Sequence, residues 1–462
     1  MYALLLIAAV VAGVWGAVVL VRGGLLGGCL AVMLAGMCFS LPFVKLPLGS
    51  LPLSIDRVLL LLLIAQYVLY RRWGRTEGQP LGKAEIVLCA LIAVMVLRTF
   101  TADWRASAYQ PLAWLILYYL MPFCVYWIAR QIPPSKRGIL TLFGCLALFG
   151  VYLAITVAAE KYHVWWLLLP RYIATTAVAG DMEFVGRGRG PLLQPIGSGA
   201  ALAICICGTL MWWPRLGRRG RLLLVGLALL GCLGLYCTLT RSVWLGGMLG
   251  LAIVVGLALP WNWRLPLLLG GTLLVALLAV TQWEHLVRFK RDRDLTAQHT
   301  ADSVSLRPVL AVVAWKMFLD RPLLGCGYAQ YKTEHLNYLA DRTSGVPLEK
   351  ARGYIPHNVL FSLLTETGLV GLGLFIGLVA LWGRDAWLIW RSGSAPLWAR
   401  QQALLFLAVL AVYFANGMFH DISVIPMANM TLFFTAGITA GLRPLLHRPA
   451  AASAAVQDRG DP

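Results

Sequence analysis

Apolar and polar residues alternate along this chain in long blocks, not with the short period of a half-buried helix or strand. Runs of roughly 17–25 apolar residues are each long enough to cross a bilayer as a helix, and short polar segments separate them. Candidate spans fall at roughly 24–43, 55–70, 84–100, 111–129, 139–159, 192–213, 221–239, 242–260, 265–281, 357–381, 399–416 and 425–441, and residues 2–21 form a further apolar run. A spanning segment must satisfy its own backbone polar groups, which favours helices over isolated strands. The pattern therefore predicts an all-α polytopic membrane protein with about 12 transmembrane helices. One apolar run leads directly into the next at the N-terminus, with no basic region ahead of it, so no cleaved signal peptide is expected.

Charge sorts the connecting segments. Arginine and lysine cluster at Arg71, Arg72, Arg75 and Lys83, at Arg130, Lys136 and Arg137, at Arg215, Arg218, Arg219 and Arg221, and at Arg384, Arg391 and Arg400. Such clusters in short links mark the cytoplasmic side. The opposite side then receives 101–110, 160–191, the tight link Thr240-Arg241-Ser242, the segment 282–356 and the short 417–424. The first 45 residues stay open, as one crossing with a short extra helix or as two crossings. Residues 282–356 are too many for a plain connection. Within them, 304–319 carries apolar residues at helical spacing interrupted by Arg307 and Lys316, which predicts an amphipathic helix on or near the membrane surface. Pro322, Gly325 and Gly327 end it, and a second short helix is expected over 328–340. The chain thus divides into membrane helices over 1–281, a large outer loop over 282–356, further membrane helices over 357–448 and a disordered tail over 449–462.

Composition closes off several functions. With 60% hydrophobic and 13% charged residues in a chain of 462, a soluble domain could not hide so much apolar surface. A net charge of +19 would suit nucleic acid, but its placement in short links between spans answers to topology, and no nucleic-acid partner is expected. Nine of the ten cysteines lie in apolar runs and only Cys326 in a long polar loop, so they read as small buried hydrophobes. Asp292 and Asp294 match an Asp-x-Asp metal motif, but Arg288, Lys290, Arg291 and Arg293 interleave with them, and no metal site is expected. No phosphate-binding P-loop, GxSxG or HExxH pattern occurs.

What topology does not explain is arginine on the outer side. Arg187 and Arg189 lie in a Gly-rich turn before a span, Arg241 sits in a very tight link, and Arg307 opens the amphipathic segment. Singly, each reads as a snorkelling or structurally paired residue. Together, they suit a phosphate or pyrophosphate, which accepts bidentate bonds from guanidinium. Gly186, Gly188 and Gly190 would let backbone N–H groups approach the same anion. His357 opens a span directly after Pro356. It reads either as a helix cap, with Asn358 as the other candidate, or as a general base. His420, in the short link 417–424, is expected to face the same side.

The stretches "TRSVWLG" (240–246), "SLRPVLAVVAWKMFLDRPLLGCGYAQY" (305–331) and "PHNVLFSLLTETGLVGL" (356–372) together resemble the O-antigen ligase and polymerase superfamily. Arg307-Pro308, Trp315, Pro322, Gly325 and Gly327 match one of its motifs. His357-Asn358, Glu366, Gly368 and Gly371 match another, and "RGRGPLLQPIGSG" (187–199), with Gln194, looks like the segment before its central helices. The resemblance covers roughly 185–375. It implies a glycosyltransferase of the bacterial inner membrane, without metal or other cofactor, whose active site faces the periplasm beside a long periplasmic loop. The donor would be a glycan on undecaprenyl pyrophosphate, and the acceptor a sugar hydroxyl of lipid A-core. In these terms His357 is catalytic, Arg187, Arg189, Arg241 and Arg307 bind pyrophosphate, and Asn358, Gln194 and Glu366 support them. The arginine pairs and the single large loop favour a ligase over a polymerase. A secondary transporter is the reading from another class; it would call for paired broken helices in two halves of the chain, which the sequence does not display.

Overall fold

The computed structural model describes residues 16, 22–39, 54–104, 110–178, 184, 186–281, 297–341, 345–425 and 427–447. Among these residues the secondary structure is helical throughout, with no strand. The helices are α1 (Arg22–Cys38), α2 (Ile55–Arg72), α3 (Lys83–Phe100), α4 (Pro111–Arg130), α5 (Lys136–Lys161), α6 (Tyr172–Val178), α7 (Pro195–Leu210), α8 (Arg218–Cys237), α9 (Arg241–Ala258), α10 (Trp261–Thr281), α11 (Ala297–Asp320), α12 (Tyr331–Glu334), α13 (Val359–Arg391), α14 (Leu397–Gly417) and α15 (Ala428–Ala440).

Seven of them are long and apolar enough to cross a membrane: α4, α5, α7 (extended to Arg215), α8, α9, α13 and α14. The chain is an all-α, multi-pass membrane protein. Four of the expected spans fall outside this set for visible reasons. Asp56, Arg57, Arg71 and Arg72 lie within α2, Lys83, Glu85 and Arg98 lie within α3, and α15 has only 13 residues. Helix α1 has only 17 described residues, and the apolar run 2–21 and the C-terminal tail fall largely outside the described residues.

Helix α7 is the centre. Every residue from Pro195 to Thr209 is buried, so Cys205 and Cys207 are both inside although they point to different faces. Cys89 and Cys232, by contrast, are exposed on the flank of the bundle, where the sequence suggested burial. Helices α9 and α14 cross closely because α9 offers glycine. A Cβ on Gly246 would lie 2.6 Å from the Asn416 side chain, and one on Gly250 would lie 2.9 Å from Val412. Small residues at such crossings let backbones approach. The pairing is antiparallel, so the start of α9 at Arg241 and the end of α14 at Gly417 share one end of the bundle.

The opposite end is clamped by ions. Glu85 accepts from the Tyr126 hydroxyl at 2.5 Å and pairs with Arg443 at 2.9 Å and Arg130 at 3.3 Å, and Arg443 also pairs with Asp385. Arg130, expected only as a topology signal, is buried in this network and ties α3 to α4.

Helix α11 is longer than the expected 304–319. Its stripe Leu306, Val309, Leu310, Val313, Ala314 and Met317 packs on Cys326, Tyr331, Leu339, Leu348 and Ala351. The apolar face expected to lie on the membrane is filled by the chain's own loop. The second predicted helix is present as α12 and a following 3₁₀ turn, His335–Tyr338.

Helix α13 is broken. Gly368 has φ 65° and ψ −163°, a region that is essentially glycine-only. A break strands backbone groups that must find partners. Here segment 322–327 supplies them in a two-way exchange. Leu369 and Val370 donate to the Pro322 and Leu323 carbonyls at 2.9 and 3.2 Å, while Cys326 and Gly327 donate to the Thr365 and Glu366 carbonyls at 2.8 and 3.0 Å. The fit excludes a side chain at Gly325, since a Cβ there would lie 2.5 Å from the Thr365 carbonyl oxygen.

Candidate active site

Asn358 starts α13. Its backbone is extended, and its Oδ1 accepts from the amides of Leu360 at 2.8 Å and Phe361 at 3.2 Å. These bonds satisfy two of the orphan donors of a helix start. The Asn358 Nδ2 donates to the Met418 carbonyl at 3.2 Å, fastening the start of α13 to the end of α14. The cap is therefore Asn358, and His357 is left for another task.

The His357 ring lies 6.0 Å from the His420 ring at 68° and 6.3 Å from the Tyr354 ring. Burial and, secondarily, the charge of Arg307 hold its pKa below the ordinary imidazole range. Arg307, next to Leu306 at the start of the buried stripe of α11, lies with its guanidinium 5.3 Å over the Phe419 ring. Burial lowers its own pKa, and Arg241 lowers it further. Two arginines are thus near enough to repel, an arrangement that an anion between them would relieve. Arg241 is also the first residue of α9, where the helix dipole disfavours a cation and favours an anion. The structure brings Arg241, Arg307, His357 and His420 to one end of the bundle.

Arg187 and Arg189 belong to a neighbouring unit. The Gly188 amide donates to the Cys237 carbonyl at 2.9 Å, pinning their turn to the end of α8. Gly188 is required by proximity, since a Cβ there would lie 2.5 Å from the Val157 carbonyl oxygen. Arg187 lies 5.2 Å over the Phe184 ring. Arg189 is held by Glu160, the penultimate residue of α5. Its Nε donates to Glu160 Oε1 at 2.8 Å, and the amides of Arg189 and Gly190 donate to Oε2 at 2.6 and 2.8 Å. Backbone amides expected to face an anionic substrate thus already serve a buried carboxylate. Gln194 is the residue before α7, and its Oε1 is buried with no hydrogen-bond partner among the described residues.

Glu366 lies in the last turn before the break in α13. Its carboxylate accepts from the Tyr331 amide at 3.3 Å. It faces a small cavity lined by Trp114, Tyr331, Lys332, Ser362 and Asp421. The Asp421 carboxyl is raised above the ordinary range by burial, which its hydrogen bonds with Ser362 and Ser423 only partly offset.

Sequence reasoning missed Glu160, Asp421 and Phe419. An acid at the end of an apolar run facing an Arg-Gly turn was the available signal for Glu160; Phe419 gave none. The Asp292/Asp294 motif lies outside the described residues.

Residues 226–376 match the family model described as O-antigen ligase. This match supports membership of the O-antigen ligase superfamily. The matched O-antigen ligase segment runs from within α8 to just past the break in α13, and so holds Arg241, Arg307, His357, Asn358 and Glu366. Arg187, Arg189 and Gln194 precede it, and His420 follows it. The superfamily implies, in general terms, lipid-linked glycan and lipid acceptor substrates. No curated protein matches the chain.

Proposed function

We propose that this protein is an O-antigen ligase, transferring O-antigen polysaccharide from undecaprenyl pyrophosphate to a sugar hydroxyl of lipid A-core on the periplasmic face of the bacterial inner membrane. One observation carries the reading: Asn358 takes the capping role, so the half-buried imidazole of His357 beside Arg307 is not needed as the helix cap. Burial and Arg307 keep that imidazole neutral near pH 7, the form a general base needs.

In the proposed step the acceptor hydroxyl oxygen attacks the anomeric carbon and forms the new glycosidic bond. The bond from that carbon to the pyrophosphate oxygen breaks, and its electron pair leaves with undecaprenyl pyrophosphate. The hydroxyl proton passes to His357. Attack opposite the leaving group inverts the anomeric configuration. Arg241 and Arg307 stabilise the charge that develops on the departing oxygen, with guanidinium forks matched to phosphate. Arg189 is assigned to the same anion through its placement of the 186–190 turn, with Arg187 beside it. Glu366 and Gln194 support the backbone around these groups.

The test is to delete the gene and separate lipopolysaccharide on a gel. A ligase mutant makes lipid A-core with no O-antigen attached. A mutant retaining core capped with a single repeat would instead assign the polymerase reaction. Transport of a small solute by the purified protein in vesicles would favour the transporter reading. The break at Gly368 gives that reading little support, because its freed backbone groups are taken by segment 322–327.

A further inference from the structure

The link after α14 meets the start of α13 and the loop almost residue by residue. Asn358 donates to the Met418 carbonyl, Arg307 covers Phe419, the His357 ring faces His420, and Asp421 is buried within reach of Ser362. The link is rigid as well as short. The His420 amide donates to the Asn416 carbonyl at 3.0 Å, and the His420 carbonyl accepts from Ile422 at 2.9 Å. Asp421 takes the Ser423 amide at 3.2 Å and its hydroxyl at 2.6 Å. The His420 side chain is thus fixed at its backbone from both sides and held against the ring assigned as the base. These four residues lie outside the segment that matches the O-antigen ligase family.

We infer that His420 is a second acceptor-binding residue, and that the acceptor hydroxyl is bound between the two imidazoles. The inference rests on the ligase reading and adds to it. A hydroxyl offers one donor and two lone pairs. Donating to His357 and accepting from a His420 N–H uses the donor and one lone pair, leaving the second lone pair to attack the anomeric carbon. Two such bonds of about 2.8 Å require ring nitrogens roughly 4.5–5.6 Å apart. Rings with centroids 6.0 Å apart and tilted by 68° can present nitrogens at that spacing. In this arrangement His357 receives the proton and His420 aims the oxygen. The pair also explains why the helix start and the link are tied together by Asn358: the tie fixes the distance between the two rings.

The experiment uses the purified full chain in lipid nanodiscs, with an undecaprenyl pyrophosphate-linked glycan as donor and lipid A-core as acceptor. His420→Phe keeps the packing and removes the N–H, whereas His420→Gln keeps a donor. His420→Phe is expected to lower kcat/KM for the acceptor on the order of 10- to 100-fold, the loss of one well-placed hydrogen bond, with the donor KM unchanged. His420→Gln recovers most of that loss. The double variant with His357→Ala is no slower than His357→Ala alone, because both residues serve one hydroxyl. Melting temperature is measured on each variant. If His420→Phe works at the wild-type rate while His357→Ala is inactive, the inference falls and the ligase reading stands. If His420→Phe and His420→Gln lose activity only in step with melting temperature, His420 is a packing residue and the inference also falls. If His357→Ala itself transfers at the wild-type rate, the ligase chemistry assigned to this site fails.

Discussion

Gly368 and Leu324 are in contact across the break in α13, so closely that a Cβ on Gly368 would lie 2.5 Å from the Leu324 nitrogen and nearer still to the Leu323 carbonyl. Neither backbone can retreat without breaking the four hydrogen bonds of the exchange. Gly368→Ala should therefore combine a clash with backbone strain of about 1–3 kcal/mol. The expected outcome is a protein that melts markedly lower in detergent and transfers little. Gly373→Ala, where nothing lies within 4 Å of the added carbon, is the control and should melt no lower than the wild type.

Asn358 and His357 should separate cleanly. Asn358→Ala removes a cap and the tie to Met418; it should cost about 0.5–2 kcal/mol of stability and lower transfer far less than His357→Ala does. His357→Ala should keep the fold and lose about 10²–10⁴-fold in rate. His357→Asn should behave like His357→Ala. Thermal melting and single-turnover transfer on the same preparations check all three.

Glu160 and Arg189 form a buried pair with both side chains 3% exposed. Removing one partner strands the other charge, a loss of about 3–5 kcal/mol. Glu160→Gln and Arg189→Ala should each melt lower, and the double variant should lose less than the sum of the two. If the double variant regains stability but not transfer, Arg189 serves the anion as well as the fold. Regained transfer would confine it to the fold.

Acid should silence the enzyme through His357. The charges and titratable groups around it are Arg307 from α11, with Arg241 behind it, Tyr354 from the loop and His420 from the link. Burial and a cation both disfavour imidazolium, so the pKa lies below 6.5. A neutral base is then present at pH 7 and is lost as pH falls through that lowered value. The acid limb of kcat/KM should have its midpoint under pH 6.5. Arg307→Gln removes the repulsion, so the His357 titration should move to higher pH. Proton NMR of selectively labelled histidine would read that shift without needing activity.

Much of the fold was legible because hydrophobic block length is a strong signal, and α4, α5, α8, α9 and α14 fall close to where apolar runs predicted them. The number of crossings was less legible, since composition cannot say whether Arg57 or Glu85 sits at an interface or inside. The candidate site divides in the same way. Arg241, Arg307 and His357 were visible as charges or imidazoles that topology did not require. Asn358 could be named as a cap, but choosing it over His357 needed the 2.8 Å bond to Leu360. Glu160 gave only a weak signal, because its partner lies 29 residues away in another element. The glycines at 325 and 368 were visible as motif letters, but their reason is a contact between segments some forty residues apart.

The backbone exchange at Gly368 makes a lever. Arg307 stands on α11, which ends at Asp320, two residues before the stretch whose Pro322 and Leu323 carbonyls hold the second half of α13. Thr365 and Glu366, gripped in return, lie in the last turn of the nine-residue half-helix whose first residue follows His357 by two positions. Helix, wedge and half-helix are joined without a hinge between them. With Arg307 and His357 in their proposed roles, a pull on Arg307 is transmitted to His357 through these backbone bonds.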